Sequence, residues 1–247
     1  MRVTPDDGKD ERHRHRRNGP LQEHHRRLAP RRCRDRTRRR AAPPGQRCAA
    51  VCEHGGVWIR SVPYDDADEE LRRHYDRQRE TLGEVTEMTL AGSLYPRLVG
   101  ARLELYAATE RCPSALTARQ RNLIGFVTSA LNGTLHCMSQ VTVKLRADGF
   151  SDEEIALLAS DPAAAADALP EGEAALLRYT IDLTSRPGEI GEDDVTALRQ
   201  AGFDDLAILD ANAHCAHLNY VNRVVTGLGI QTVVDPDFAA YDAIPAD

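Results

Sequence analysis

No uninterrupted apolar run in this chain of 247 residues approaches the roughly 18 to 20 residues that span a bilayer, which argues against a membrane helix. No apolar stretch of roughly 7 to 15 residues follows the N-terminal charges, which argues against a secretory signal, so a soluble, cytoplasmic protein is expected. The sequence also lacks a CxxC pair and any paired zinc-finger spacing among its six cysteines, at positions 33, 48, 52, 112, 137 and 215. Cys48, Cys52 and His54 are spaced as metal ligands are, but no second pair completes a site, and the grouping reads as incidental. No metal or cofactor is expected. Signals for β-hairpins are scarce throughout, which argues against a sheet.

Charge of one sign is missing from neither end, but it is unevenly shared. Residues 1–56 hold 16 Lys and Arg against 7 Asp and Glu, a balance of plus 9, which leaves 16 against 31, or minus 15, for the remainder. The basic part has almost no periodic apolar residues and cannot offset the chain entropy lost on folding. Residues 1–57 are therefore expected to be a disordered basic extension. It has no aromatic side chains to stack on bases, which argues against a nucleic-acid arm. Its Arg-, Pro-, Ala- and His-rich composition is also what GC-rich DNA yields when translated upstream of a start, so a mis-assigned start is the alternative. Residues 58–232 are expected to form the domain and 233–247 a loose tail.

What is present from Asp65 onward is helical. DDADEELRRHYDRQRETLG has acids first, bases later and a Gly near its end, as the helix dipole and C-cap geometry favour. VTEMTLAGSL and PRLVGARLELYAATE predict further helices, the latter with Pro at its start. In TARQRNLIGFVTSAL, Thr117 and Gln120 make a capping-box pattern, and Leu123, Ile124, Val127, Ala130 and Leu131 share one face. The fold class is all-α. LRADGFSDEEI (145–155) and LRQAGFDDLAI (198–208) align without gaps at an offset of 53 residues. Gly149 and Gly202 are each expected to end a helix in a left-handed conformation and Phe150 and Phe203 to pack, giving two similar helical units.

The stretch LNGTLHCMSQV (131–141) carries the first candidate chemistry. Asn132-Gly133 breaks one helix, and Thr134 is placed to cap a second that puts Cys137 at its third position. There the helix dipole and free backbone N–H groups favour thiolate and lower its pKa. His136 adjoins Cys137 in sequence but points about 100° away around the helix, so it is not automatically the base. A small buried cysteine is the competing reading.

From about Ile59 to Gly229 the chain resembles the carboxymuconolactone decarboxylase and alkylhydroperoxidase D-like family, in particular its peroxidase-related branch. The likeness lies in IRSVPYDDADEELRRHYDRQRETLG, LTARQRNLIGFVTSALNG and LNYVNRVVTGLGI. It implies an oligomeric helical bundle, commonly a trimer or hexamer, and antioxidant peroxidase-type chemistry by a CxxC pair with a helper Glu and His. Carried over by position, the second Cys of that pair falls on Cys137 and the first on Thr134. The Glu falls on Asn122 and the His on Gln140 or Val141. The motif disulfide cannot form here, and a one-cysteine cycle with an external thiol reductant is what remains.

DDLAILDANAHCAHLNYVNRVVTGLG supplies a second candidate. At 100° per residue, Asp210, His214 and His217 fall in one stripe with Leu206, Val221, Val224, Val225 and Leu228. An Asp four residues before a His can hold its ring N–H, so Asp210 is expected to fix His214. Cys215 and Asn222 point elsewhere, toward a subunit interface. Hydrogen-bonded core residues, a proton relay, and a two-His metal site lacking a third ligand are the competing readings. The function expected first is a thiol-dependent, hydroperoxidase-like oxidoreductase with Cys137 as nucleophile. A cofactor-free lyase or decarboxylase on a small organic acid, using His214 and His217, is the alternative, and a non-catalytic oligomeric scaffold or small-molecule binder the third.

Overall fold

The computed structural model describes residues 57–234 and Phe238, all within the second of two units into which the chain divides, residues 1–47 and 48–247. The expected basic extension lies outside the described residues. Among the latter there is no strand, and no helix is long and apolar enough to cross a membrane. Ten α-helices follow in order: α1 Glu69–Leu82, α2 Glu87–Gly92, α3 Pro96–Tyr106, α4 Ala118–Leu131, α5 Leu135–Ala147, α6 Asp152–Ser160, α7 Pro162–Asp167, α8 Glu171–Ser185, α9 Glu192–Gln200 and α10 Asp205–Gly227.

Local signals in the sequence set most of these bounds. Asp68 caps α1 by accepting from Leu71 N, and Gly83 closes it at φ 84°. The Thr117–Gln120 capping box opens α4. Helix α4 is the central element, buried without a break from Leu123 to Ser129 and packed against α5, α8 and α10. A helix apolar all round belongs in the middle of a bundle. Gly125 lets α10 approach it closely, because a Cβ there would stand 3.3 Å from Leu218 Cδ1.

The sequence repeat is a structural one. Displaced by 53 residues, α4 falls on α8, the end of α5 on the end of α9, and the start of α6 on the start of α10. Gly149 and Gly202 take φ of 91° and 97°. Phe150 N donates to Leu145 O and Phe203 N to Leu198 O, both at 3.1 Å, closing matching C-terminal turns. Even the flanking ion pair recurs, Arg146–Asp152 and Arg199–Asp205. The units differ where α6 stops before Pro162 and α10 runs on through His214 and His217 to Gly227.

Of the segment expected to be a loose tail, Val234 N donates to Ser139 Oγ at 3.0 Å, and Phe238 is buried in the core beneath the Arg146 guanidinium.

Candidate functional site

The α4–α5 hairpin sets Cys137 where the sequence predicts. Asn132 and Gly133 break the helix, with Gly133 at φ 63°, and Cys137 is the third residue of α5. An opposing effect meets the expected thiolate. Cys137 is 8% exposed and packs against Ala91, Val225 and Ile230, with Met88 and Val221 beside them. Burial pushes its thiol up to about 12, and no charged group offsets this. Residues of α2, of α10 and of the chain after α10 close over the helix end, so hydrocarbon replaces the solvent that an ionised sulfur needs.

The residues meant to assist Cys137 serve other ends. Thr134 stands at the N-cap position without a side-chain capping bond, its Oγ1 3.4 Å from both Asn132 O and Thr226 Oγ1. His136 donates from Nδ1 to Thr232 O at 2.6 Å and pins the chain that follows α10. Gln140 is exposed. Asn122 donates to Asp148 Oδ2 at 2.7 Å, and Asp148 caps the far end of α5, about 16 Å from Cys137 by helical rise.

Cys215 is fully buried rather than facing a subunit contact. Its Sγ lies 3.4 Å from Thr184 Oγ1 and 3.6 Å from Thr128 Oγ1, and burial raises its thiol as well. Asn222 is buried too, donating to Thr128 O at 3.3 Å. Leu206, placed by periodicity on the inner stripe of α10, is 58% exposed.

His214 and His217 do turn inward, 3% and 4% exposed. The acid that meets His214 is a residue the sequence reading missed. Asp210 does not hold His214; it accepts from Ser114 Oγ and Ala115 N, both at 2.8 Å, and ties down the loop before α4. Glu110 Oε1 stands 3.2 Å from His214 Nδ1 instead. Glu110 belongs to a π-helical turn, Ala107–Arg111, closed by Cys112 N donating to Ala107 O at 2.9 Å. The inserted residue re-aims the end of the α3 segment, and such turns recur at functional sites. A Glu at a helix end whose registration is uniformly 3.6-periodic gives no sequence signal of this turn.

The pair has an unusual hydrogen-bond state. His214 Nε2 is 3.0 Å from Arg121 O. A carbonyl only accepts, so Nε2 carries the proton, and in the neutral ring Nδ1 turns a lone pair toward the Glu110 carboxylate. Neither Nδ1 nor Oε1 has a hydrogen-bond partner, nor does His217 Nδ1. Burial lowers the pKa of His214, partly opposed by Glu110 and by backbone carbonyls, with Arg121 adding to the lowering. His217 is lowered by burial as well, against Glu110 and together with His214 and Arg102. Burial thus disfavours the proton that would bridge His214 Nδ1 and Glu110 Oε1, which stand 3.2 Å apart.

Two rings and a cation border this pair. Tyr106 and Tyr220 lie 6.3 and 6.5 Å from the His217 ring, centroid to centroid. Arg102, on α3, donates to Thr89 Oγ1 and is lowered by burial, with the Tyr220 and Tyr106 phenols opposing. Among the described residues, no group of three His, Cys, Asp or Glu is placed to hold a metal ion, so the two-His metal reading gains no third ligand.

Residues 96–179 match the carboxymuconolactone decarboxylase family. That span includes Arg102, Tyr106, Glu110 and Cys137 and ends before His214. No curated protein matches significantly. Among solved structures, the chain is similar to the alkylhydroperoxidase AhpD core of an uncharacterized peroxidase-related protein from Ralstonia eutropha JMP134. The identity is 24%, the TM-score 0.60, and the match covers 75% of this chain and 96% of that one. An uncharacterized peroxidase-related protein from Silicibacter sp. TM1040 is similar at 21% identity and TM-score 0.62, over 76% and 96%. The debrominase Bmp8 is similar at 16% identity and TM-score 0.57, over 75% and 96%. These likenesses show the alkylhydroperoxidase D-like fold, and the debrominase shows that one frame hosts more than one activity.

Proposed function

We propose, for a chain whose residues 96–179 belong to the carboxymuconolactone decarboxylase family and whose helices have the alkylhydroperoxidase D-like fold, that it is a cofactor-free lyase or decarboxylase acting on a small organic acid. One observation carries the reading: the Glu110–His214 pair, 3.2 Å apart, with His214 buried and its charged form disfavoured by that burial. Such a pair takes a proton from substrate carbon, or passes on one it has taken up from water. In a decarboxylation the electrons of the broken C–CO2 bond pass into the adjacent unsaturated system, and the pair, having taken up a proton from water, delivers it to the carbon that bears them.

The test is a set of unsaturated and lactone acids, beginning with carboxymuconolactone, followed by NMR in D2O. The protein should place deuterium in the product, and Glu110→Gln should slow this by about 100-fold, within the range of a lost general base. A wild-type rate in Glu110→Gln overturns the reading.

A second reading is thiol-dependent hydroperoxide reduction, favoured by the place of Cys137 at the third position of α5. The sulfur would attack the peroxide oxygen, releasing alcohol and leaving sulfenic acid, which an external thiol then reduces. Its burial and raised pKa rank it below the acid–base reading. Loss of peroxide consumption in Cys137→Ser would reverse that order.

A further inference from the structure

We infer that Arg102, Tyr106, His217 and Tyr220 form a recognition subsite for a flat carboxylate, one whose carboxyl group is conjugated to an unsaturated or aromatic system. The inference deepens the proton-transfer reading and rests on it for the role of the neighbouring Glu110–His214 pair.

Four observations meet at this place. The Arg102 side chain is half-buried and hydrogen-bonded to Thr89 Oγ1, yet no carboxylate pairs with it among the described residues. A charge held half out of water without its counter-charge is costly. His217, 4% exposed, has a ring nitrogen, Nδ1, with no partner at all. The rings of Tyr106 and Tyr220 both neighbour His217, tilted to it by 50° and 30°. Finally, two of the group's members reach the surface: Tyr220 is 37% exposed, and Tyr106 lines an open cleft with Leu103 and Arg111.

Each observation limits the ligand. A guanidinium without an acid is matched by a planar oxyanion, which it binds through two parallel N–H donors. Three rings gathered at one place, Tyr106, His217 and Tyr220, favour a flat, polarisable body over a saturated ring. The orphaned Nδ1 of His217 accepts from, or donates to, a polar substituent of the ligand. The charged and titratable groups around it are Arg102 on α3, Glu110 and Arg111 on the π-helical turn, the latter over the Tyr106 ring, and His214 and His217 on α10.

Calorimetric titration of the full chain with four probes tests this: benzoate, sorbate, cyclohexanecarboxylate and benzamide. Benzoate and sorbate should bind, and the saturated acid and the neutral amide should each bind at least about tenfold more weakly. Arg102→Gln should weaken benzoate by about tenfold or more, and Arg102→Lys should fall between, keeping the charge without the fork. Tyr220→Leu should narrow the preference for benzoate over cyclohexanecarboxylate. Unchanged benzoate binding in a folded Arg102→Gln, or no discrimination among the four by the unaltered protein, overturns the subsite. Glu110→Gln separates the two claims. If it abolishes turnover while Arg102→Gln leaves benzoate binding intact, the base stands and the subsite falls. If it keeps turnover while Arg102→Gln loses benzoate, the subsite stands and the base falls.

Discussion

At the scale of single residues, two effects compete at Cys137 and their magnitudes decide the outcome. The third position of a helix lowers a thiol through the dipole, an effect of about 0.3 to 2 kcal/mol. Burial raises it from its ordinary 9.0 to about 12, which corresponds to about 4 kcal/mol against the thiolate. Burial wins, and the sulfur stays protonated at neutral pH. Alkylation with iodoacetamide at pH 8, read by peptide mass, should label the exposed Cys112 at least about 100-fold faster than Cys137, since thiolate is the reacting form. Equal rates would restore Cys137 as a nucleophile. The sequence made the helical position of this cysteine legible, because Asn132-Gly133 marks the break. It could not show Ala91, Val225 and Ile230 closing over the sulfur, since those residues come from distant parts of the chain. The same holds for Asp210. Its spacing of four from His214 is right for a helix pair, but the acid meets Ser114 and Ala115, and the carboxylate at His214 arrives from another element.

Elements carry the next level of argument. The two units share their turns and ion pairs, so the fold was largely legible from LRADGF and LRQAGF. The candidate site lies where the units depart from each other, on the part of α10 that α6 lacks. The π-helical turn before α4 is the second departure, and it is invisible to a 3.6-residue count. Deleting Ala108 should return the turn to α-helical register and rotate Glu110 by about 100°. Since Glu110 opposes the lowering of His214, the deletion should move the His214 titration, followed by NMR, further down, and turnover should fall with it. An unmoved titration would separate the turn from the pair. The far end of α10 gives a further test. Gly229 holds φ 76°, and a Cβ there would overlap the ring of Trp58, whose N donates to Leu228 O at 2.9 Å. Gly229→Ala should cost about 1–3 kcal/mol in urea unfolding. It should also shift the emission of the single tryptophan, and an unchanged midpoint and spectrum would show that the contact is dispensable.

For the whole molecule, the two inward histidines tie stability to pH. Both have folded-state values below the ordinary imidazole value of 6.5, with burial as the first cause. The unfolded chain therefore binds protons at a higher pH than the native one, and stability rises with pH wherever that difference persists. Their contribution is complete above about 6.5 and is lost as the pH falls below it, with a slope of at most about 1.4 kcal/mol per pH unit for each histidine. The groups that face them, Glu110, Arg102 and the Arg121 backbone, set how far down the loss extends. Other shifted groups stay out of this window. Cys137, Cys215 and Tyr75 are moved up, away from it, and Glu154 is moved down by its bonds to Ser151. Urea midpoints measured from pH 8 to pH 5 should accordingly hold level to about 6.5 and then decline. Replacing both histidines with glutamine should flatten that decline, even where it lowers stability overall, because the proton uptake on unfolding is removed. A midpoint that rises on acidification would mean that the native state binds more protons than the unfolded chain, against the lowered values of the two rings and in favour of an imidazolium–carboxylate ion pair at Glu110 and His214.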